Sequence, residues 1–392
     1  MRAPFWLLLG SSLILNARAA APAPKFRAIE IDKIQIGYGV TVADVDGDKR
    51  PDIVLVDKNQ VAWYQNPSWQ KHVIAENLTK LDHVCIAAAD IDGDGKAEIA
   101  VGAGWNPGDT VNSGAVFYLV PPADRTQKWK PIELHHEPTV HRMRWVKNAQ
   151  GKFDLVVVAL HGRGNKNGQG EGVKILAYKM PSDPSTPWTT ELLNEQFHMT
   201  HNFDPVQWDN DSAQELLLGG KEGSFLLDPA QPKPRVTQLG GPDSGGVGEI
   251  RLGKLGQGRR FFATVEPMHG TNLVVYVEPK TAGETHWSRH VLDSSLIDGH
   301  ALACGDLLGQ GKDQIVVGWR AMNKPGARVG IKLFSVELLP QGVNWAQVPI
   351  DDNGMACEDL CLADLDGDGK LDIIAAGRAT KNVKIYFNET GK

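Results

Sequence analysis

A repeated strand–loop–strand unit runs along the chain and limits the folds that it can adopt. The clearest copies begin at Val40, Cys85 and Leu360, and each has an apolar strand, an Asp-x-Asp-Gly-Asp loop, a carboxylate four residues later and a second strand. Weaker copies begin at Arg144, Pro205, Ile250 and Leu302. Seven copies at intervals of roughly 45 to 60 residues are typical of propeller blades.

Two further strand patterns follow each strand pair. The first is apolar, as in VAWYQNP from Val61 and AVFYLVP from Ala115, and the second often opens with tryptophan. These tryptophans are Trp69, Trp129, Trp188, Trp287 and Trp345. Four strands per repeat make one blade.

The two ends of the chain share one blade in this interpretation. The seventh copy ends with VKIYFNETGK and has no fourth strand, whereas KFRAIEI from Lys25 matches KWKPIEL from Lys128. The N-terminal strand would complete the last blade and remove an exposed sheet edge. The sequence therefore predicts an all-β fold, a seven-bladed β-propeller closed by the N-terminal strand in the last blade, with residues 20–392 as its single domain.

Residues 1–19 have the three parts of a secretory signal peptide. Arg2 gives a positive start, residues 5–15 are mainly apolar, and residues 17–19 read small-x-small. The apolar run is shorter than the roughly 20 residues of a membrane-spanning helix. We expect a secreted or periplasmic protein without a membrane anchor.

Charge and cysteine content add two further expectations. The net charge of −6 gives no basic patch for nucleic acid, and it leaves the oligomeric state open. Four cysteines allow three pairings. Cys304 and Cys361 could bridge neighbouring blades, or the cysteines are buried free thiols.

The aspartate loops predict structural Ca²⁺ sites. Oxygen ligands at positions one, three, five and nine, with glycine between them, suit a hard cation that takes six to eight oxygens. The predicted ligands are Asp44, Asp46, Asp48 and Asp52, then Asp90, Asp92, Asp94 and Glu98, then Asp364, Asp366, Asp368 and Asp372. Asp-Gly runs also form ordinary turns, but turns do not require the ninth-position carboxylate.

These repeats resemble the FG-GAP or VCBS repeats of integrin α-chain propellers and of many secreted bacterial proteins. The resemblance rests on the Asp-x-Asp-Gly-Asp loop between two apolar strands and covers essentially the whole mature chain. It implies the propeller fold and calcium. It does not imply one function, because the same repeat serves adhesion proteins, lectins and lyases.

Histidines collect at the other end of the strands. Loops that join blades and loops between second and third strands share one face of a propeller, opposite the aspartate loops. His83, His141, His201 and His300 precede innermost strands, with Glu358 in the equivalent place of the seventh copy. The candidates after second strands are His161, Arg163, His269 and Arg320. Histidine can transfer protons near neutral pH or bind a transition metal, although each one could instead cap a strand.

The sequence leaves two classes of function open. One is a carbohydrate-processing lyase or dehydratase acting on a sugar ligand, with a rim histidine as general base and an arginine as electrophilic support. A resemblance to the propeller part of aldos-2-ulose dehydratase-type sugar lyases supports this class. The other is a non-catalytic glycan- or protein-binding propeller that uses the same face. Trp105 and Trp319 could stack on a sugar in either case, or serve packing alone.

Overall fold

The computed structural model describes residues 23–231, 234–240, 245–256, 258–280, 287–323, 326–339 and 342–392. The described residues form 28 strands and no helix. Accordingly, none of them forms a helix long and apolar enough to cross a membrane. The predicted signal peptide, residues 1–19, lies outside the described residues.

The strands follow one another along the chain with short connections. In chain order they are β1 (Phe26–Lys33), β2 (Gly39–Ala43), β3 (Asp52–Val56), β4 (Gln60–Gln65), β5 (Gln70–Glu76), β6 (Cys85–Ala89), β7 (Glu98–Ala103), β8 (Ala115–Val120), β9 (Lys130–Leu134), β10 (Val140–Lys147), β11 (Phe153–Ala159), β12 (Ile175–Lys179), β13 (Thr189–Asn194), β14 (Thr200–Val206), β15 (Glu215–Gly220), β16 (Gly223–Asp228), β17 (Arg235–Gly240), β18 (Ile250–Gly256), β19 (Arg259–Glu266), β20 (Asn272–Val277), β21 (Ser288–Asp293), β22 (Gly299–Gly305), β23 (Gln314–Trp319), β24 (Gly330–Leu339), β25 (Gly342–Asp352), β26 (Cys357–Ala363), β27 (Asp372–Gly377) and β28 (Asn382–Asn388).

Seven four-stranded antiparallel sheets form the blades of a β-propeller, as predicted. Blades 1 to 6 each take four consecutive strands, from β2–β5 through β22–β25. Blade 7 takes β26, β27 and β28, with β1 as its outermost strand. The pairing of β1 with β28 includes Ile29 opposite Ile385, which confirms closure by the N-terminal strand. It leaves β28 with a partner on both sides.

Burial follows strand position within a blade. The second strands, such as β3 and β7, are buried along their whole length because neighbouring blades cover both of their faces. The fourth strands, such as β5 and β13, lie at the outer edge and are mostly exposed or half-buried. Large rings fill the space between blades, and Trp63 and Tyr64 are fully buried there. The apolar core is therefore a ring of layers between blades, with a channel along the axis.

The strand order sorts the loops onto two faces. Loops between first and second strands, which carry the aspartates, lie on what we call the aspartate face. Loops between second and third strands and loops that join blades lie on the opposite face, here called the histidine face. All four cysteines are free thiols.

Candidate functional site

Four blades carry a β-bulge at the same place, where the innermost strand begins. The pairing of β10 with β11 passes from Val140 to Arg142 and skips His141. The corresponding residues skipped in blades 4, 6 and 7 are His201, His300 and Glu358. A bulge leaves the extra residue unpaired and changes the direction of its side chain.

Three of these residues meet His269 in a group that we call the histidine cluster: His141, His201, His269 and His300. The Nε2 atoms of His201 and His269 are 2.6 Å apart. The ring centroids of His300 lie 4.7 Å from His269 and 5.5 Å from His201, and that of His141 lies 4.8 Å from His201. One nitrogen each from His201, His269 and His300 lies within 4.8 Å of the other two.

Main-chain oxygens fix the tautomers of two cluster histidines. Nδ1 of His141 lies 2.8 Å from the main-chain oxygen of His201, and Nδ1 of His300 lies 2.5 Å from that of Glu358. A carbonyl oxygen only accepts hydrogen bonds, so each Nδ1 carries the proton. The Nε2 atoms of His141 and His300 are thereby left with free lone pairs.

Burial keeps these rings uncharged. His141 and His300 are 5% and 4% exposed, and burial, together with the positive charges of Arg142 and Arg320 respectively, holds their pKa well below its usual range. Burial also lowers the pKa of His201, against the opposing effect of Glu249. The ring of His269 is 40% exposed and is the most accessible member of the cluster. The cluster therefore presents neutral imidazoles at pH 7.

A charged frame borders the cluster on the side of blades 6 and 7. Arg320 donates to Glu358 at 2.6 Å and to Asp298 at 2.9 Å, and its third nitrogen lies 3.2 Å from Nδ1 of His269. Arg378 donates to the other oxygen of Glu358 at 3.0 Å. Burial alone would lower the pKa of Arg320, but Glu358 and Asp298 outweigh it and raise that pKa. Arg320 is therefore a fixed positive charge beside an accessible imidazole.

A second polar layer supports the cluster from inside the channel, and the sequence analysis missed it. Glu249, 1% exposed, accepts from Asn202 at 2.6 Å and lies 3.4 Å from Nδ1 of His201. Arg142 and Arg251 each approach Glu249 to 3.5 Å. These charges and hydrogen bonds hold the pKa of Glu249 far below its usual range despite its burial. The signal available in the sequence was the run of polar residues at alternate positions of strands that face the channel.

Aromatic rings border the cluster on the opposite side. Trp105 stacks on His141 with ring centroids 5.0 Å apart and planes 23° apart. Its backbone pairs with that of Asp82, whose carboxylate accepts from Tyr38 at 2.9 Å. Trp105 therefore forms a side wall of the site, whereas Trp319 donates to the main-chain oxygen of Arg328.

Three predicted site residues lie outside both the histidine cluster and the charged frame formed by Arg320 and Glu358. His83 is fully buried at the junction of blades 1 and 2, where its Nε2 accepts from the main-chain nitrogen of Leu78 at 3.3 Å. The aspartate loop of blade 2 begins six residues after Val84, and that of blade 7 begins six residues after Glu358. Val84 is therefore the equivalent of Glu358, and His83 lies one residue before that position.

The other two residues lie in the loop between the second and third strands of blade 3, on the histidine face. The main-chain nitrogen of His161 donates to the hydroxyl of Thr139, and burial lowers the pKa of the His161 imidazole. Arg163 pairs with Glu137 at 3.3 Å and donates to the main-chain oxygen of Val111. These contacts hold the blade 3 loop against its neighbouring loops.

The aspartate loops bring carboxylates together on the opposite face. The compact groups are Asp44 with Asp46 and Asp48, Asp90 with Asp92 and Asp94, and Asp364 with Asp366 and Asp372. A fourth group, Asp209 with Asp211 and Glu215, lies in the corresponding loop of blade 4, where Gln207 takes the first position. In the third loop Asp368 instead lies 2.6 Å from Nζ of Lys392. Carboxylate groups of this kind suit Ca²⁺.

The ninth-position carboxylates also brace the loops directly. Asp52 is fully buried and accepts from the main-chain nitrogens of Val45 and Asn66, each at 2.9 Å. Glu98 and Asp372 make the matching bond to Ile91 and Leu365. Burial is the main cause that raises their pKa, to about 7 for Asp52 and Glu98 and about 6 for Asp372.

Comparison with known families identifies the repeat. Residues 31–101 match the FG-GAP-like repeat, and residues 86–119 match the FG-GAP repeat. The chain is a β-propeller in which residues 31–119 match FG-GAP repeats. The matched FG-GAP segments contain the first two aspartate loops. No curated protein matches the sequence.

Solved structures share the fold of this propeller at low sequence identity. A chain of the mitotic checkpoint complex superposes with a TM-score of 0.57 and 13% identity, covering 97% of this chain and 98% of that one. The Cps50 (Swd1) β-propeller domain of Myceliophteria thermophila gives 0.54 and 9%, with 92% and 99% covered. A streptogramin B lyase structure gives 0.55 and 12%, with 93% and 98% covered. Identities this low establish the fold alone.

Proposed function

We propose that the histidine cluster is the active site of an exported carbohydrate lyase or dehydratase. The reaction class is removal of a proton next to a carbonyl or carboxylate, followed by loss of an oxygen leaving group. The observation that carries the proposal is the convergence of neutral imidazoles with fixed tautomers beside Arg320. These are a base and a positive charge, which an elimination needs.

His141 is the general base in this proposal. Its Nδ1–H is held by the main-chain oxygen of His201, and Trp105 stacks on its ring, so its Nε2 lone pair has a fixed direction. Its lowered pKa leaves that lone pair unprotonated at pH 7. The C–H proton moves to Nε2 and the C–H electron pair forms the new C=C bond. The C–O bond breaks, and the departing oxygen takes the proton back from the imidazolium.

Arg320 stabilises the negative charge that develops on the substrate oxygen. It is 12% exposed, and Glu358 and Asp298 hold its guanidinium in place. A donor that is already oriented loses little free energy to reorganisation during the reaction. Trp105 would stack on the apolar face of a sugar ring, since aromatic rings bind such faces well.

The donors of His201, His269 and His300 also fit a transition metal. Three nitrogens within 4.8 Å of one another suit a three-histidine site with an open position, where a metal would replace the proton that the Arg320 contact leaves on Nε2 of His269. The outer nitrogen of His300 is held by a main-chain oxygen and that of His201 lies near Glu249, an arrangement that orients metal-binding histidines. A bound Zn²⁺ would polarise the carbonyl of the substrate.

The test is an elimination assay with a matched histidine control. Purified protein is incubated with 1,5-anhydrofructose, 3-keto-glycosides and uronate polysaccharides, and unsaturated products are followed by ultraviolet absorbance. We expect activity that His141→Ala lowers by about 10²- to 10⁴-fold. The control is His290→Ala, on the exposed outer strand β21, which should keep wild-type activity. Equal activity of the two variants would contradict the role of His141.

A non-catalytic glycan- or protein-binding propeller is the second candidate. It is favoured by exposed apolar side chains on loops of the histidine face, with Leu81 at 45%, Val111 at 49% and Met322 at 43%. Leu81 adjoins Asp82, the backbone partner of Trp105. Saturable binding of a glycan without any unsaturated product, abolished by Trp105→Ala, would select this candidate.

A further inference from the structure

A charged cavity of about 260 Å³ lies in the central channel, along the innermost strands below the histidine cluster. Its charged lining comes from four blades. These residues are Arg142, Arg144, Asp204, Arg251 and Asp359. The proposed elimination uses none of them, so the cavity needs a separate explanation.

The arginines of the cavity have few anionic partners. Arg142 and Arg251 share one carboxylate, Glu249, and each stays 3.5 Å from it. Arg144 donates to the main-chain oxygen of Met143 at 2.7 Å and forms no ion pair with any carboxylate in the part of the chain that the structure describes. Burial and the positive charge of Arg251 lower the pKa of Arg144, although the nearby Asp359 and Asp204 act in the opposite direction. Most of the N–H donors of this guanidinium therefore remain available to a ligand.

The two aspartates of the cavity are bound to the backbone instead. Asp359 accepts from the main-chain nitrogens of Leu360 and Val40, each at 3.0 Å, with one bond on each of its oxygens. Asp204 accepts from the main-chain nitrogen of Leu252 at 3.0 Å. Burial raises the pKa of both carboxyl groups, and neither forms an ion pair with an arginine among the described residues. The cavity thus has positive charge that its own carboxylates do not fully engage.

We propose that this channel cavity binds a small oxyanion, of the size of acetate or inorganic phosphate, through Arg144 and Arg251. The planar guanidinium presents parallel N–H donors that match two oxygens of a carboxylate or phosphate. Burial in the channel strengthens such charge-assisted bonds, because little water competes for the donors. The cavity has room for an anion of this size and a few waters.

Isothermal titration calorimetry tests this site without any measurement of catalysis. Protein stripped of metal with EDTA is titrated separately with sodium acetate and with sodium phosphate, at an ionic strength held constant with chloride. We expect saturable binding of at least one anion, and the anion that binds identifies a carboxylate or a phosphate ligand. Arg144→Gln should weaken that binding at least tenfold. The matched control, Arg235→Gln on the exposed strand β17, should bind as the wild type does.

Two further variants keep the outcome decisive. If Arg144→Gln fails to fold, Arg144→Lys keeps the charge but loses the paired donors, and it should bind at least threefold more weakly. His141→Ala should retain anion affinity even where it lowers elimination, so the two proposals fail separately. The inference is overturned if neither anion saturates the wild type, or if the folded Arg144 variants bind with unchanged affinity.

Discussion

The Nδ1 atom of His141 in blade 3 lies 2.8 Å from the main-chain oxygen of His201 in blade 4. A similar bond joins His300 of blade 6 to the main chain of Glu358 in blade 7. In both pairs, the bulged residue of one blade supplies the acceptor for the bulged residue of another. The histidine cluster is therefore held by contacts between blades.

Acidification should destabilise the fold through the cluster histidines. Their pKa is lowered in the folded protein and near 6.5 in the unfolded chain, so below pH 6.5 the unfolded chain binds more protons. The free energy of unfolding of metal-free protein should then fall on acidification, by at most about 1.4 kcal/mol per pH unit for each such histidine. Denaturant titrations at pH 7, 6 and 5 measure this slope. His300→Gln should reduce the slope by the contribution of one histidine, whereas His290→Gln should leave the slope unchanged.

Glu249→Gln should lower the free energy of unfolding by about 3–5 kcal/mol, because it leaves Arg142 and Arg251 buried without their shared carboxylate. The measurement is urea denaturation at pH 7. Glu191→Gln removes an exposed partner of Lys179 and should change stability by less than about 0.5 kcal/mol. A loss below about 1 kcal/mol for Glu249→Gln would show that the arginines find other partners.

Arg320→Met should reduce elimination by about 10²- to 10³-fold while the protein stays folded, because Arg378 still neutralises Glu358. Initial rates and thermal melts of the same preparation give both readouts. The matched control in blade 6 is Arg328→Met, which removes an exposed arginine paired with Asp352. Unchanged rates for Arg320→Met would assign this residue to structure alone.

Calcium removal should lower the melting temperature. When the free Ca²⁺ concentration is 100 times the dissociation constant of a site, binding at that site stabilises the fold by about 2.7 kcal/mol, and EGTA removes this contribution. Asp90→Asn should lower the melting temperature in calcium and respond less to EGTA. Asp183→Asn alters an exposed turn aspartate of blade 3 and should respond to EGTA as the wild type does. A melting temperature that EGTA does not change would argue against occupied sites.

The histidine face could be predicted only in part. Strand order follows from the repeat, so the sequence places His141, His201, His300 and Glu358 at one mouth of the channel. It also places His83 there, yet His83 lies at the junction of blades 1 and 2, because its blade has no bulge between β6 and β7. A bulge shifts the register by one residue, and residue patterns do not reveal such a shift.

Local patterns in the chain determined the blade count, the four strands per blade and the carboxylate loops, because these depend on residues close together in sequence. The pairing of β1 with β28 in one blade could also be predicted, from the matching segments at Lys25 and Lys128. Only the tertiary structure decided which imidazoles meet, that Glu249 supports His201, and that no carboxylate of the described residues forms an ion pair with Arg144. These relations join residues from different blades, and their distances depend on how the ring closes.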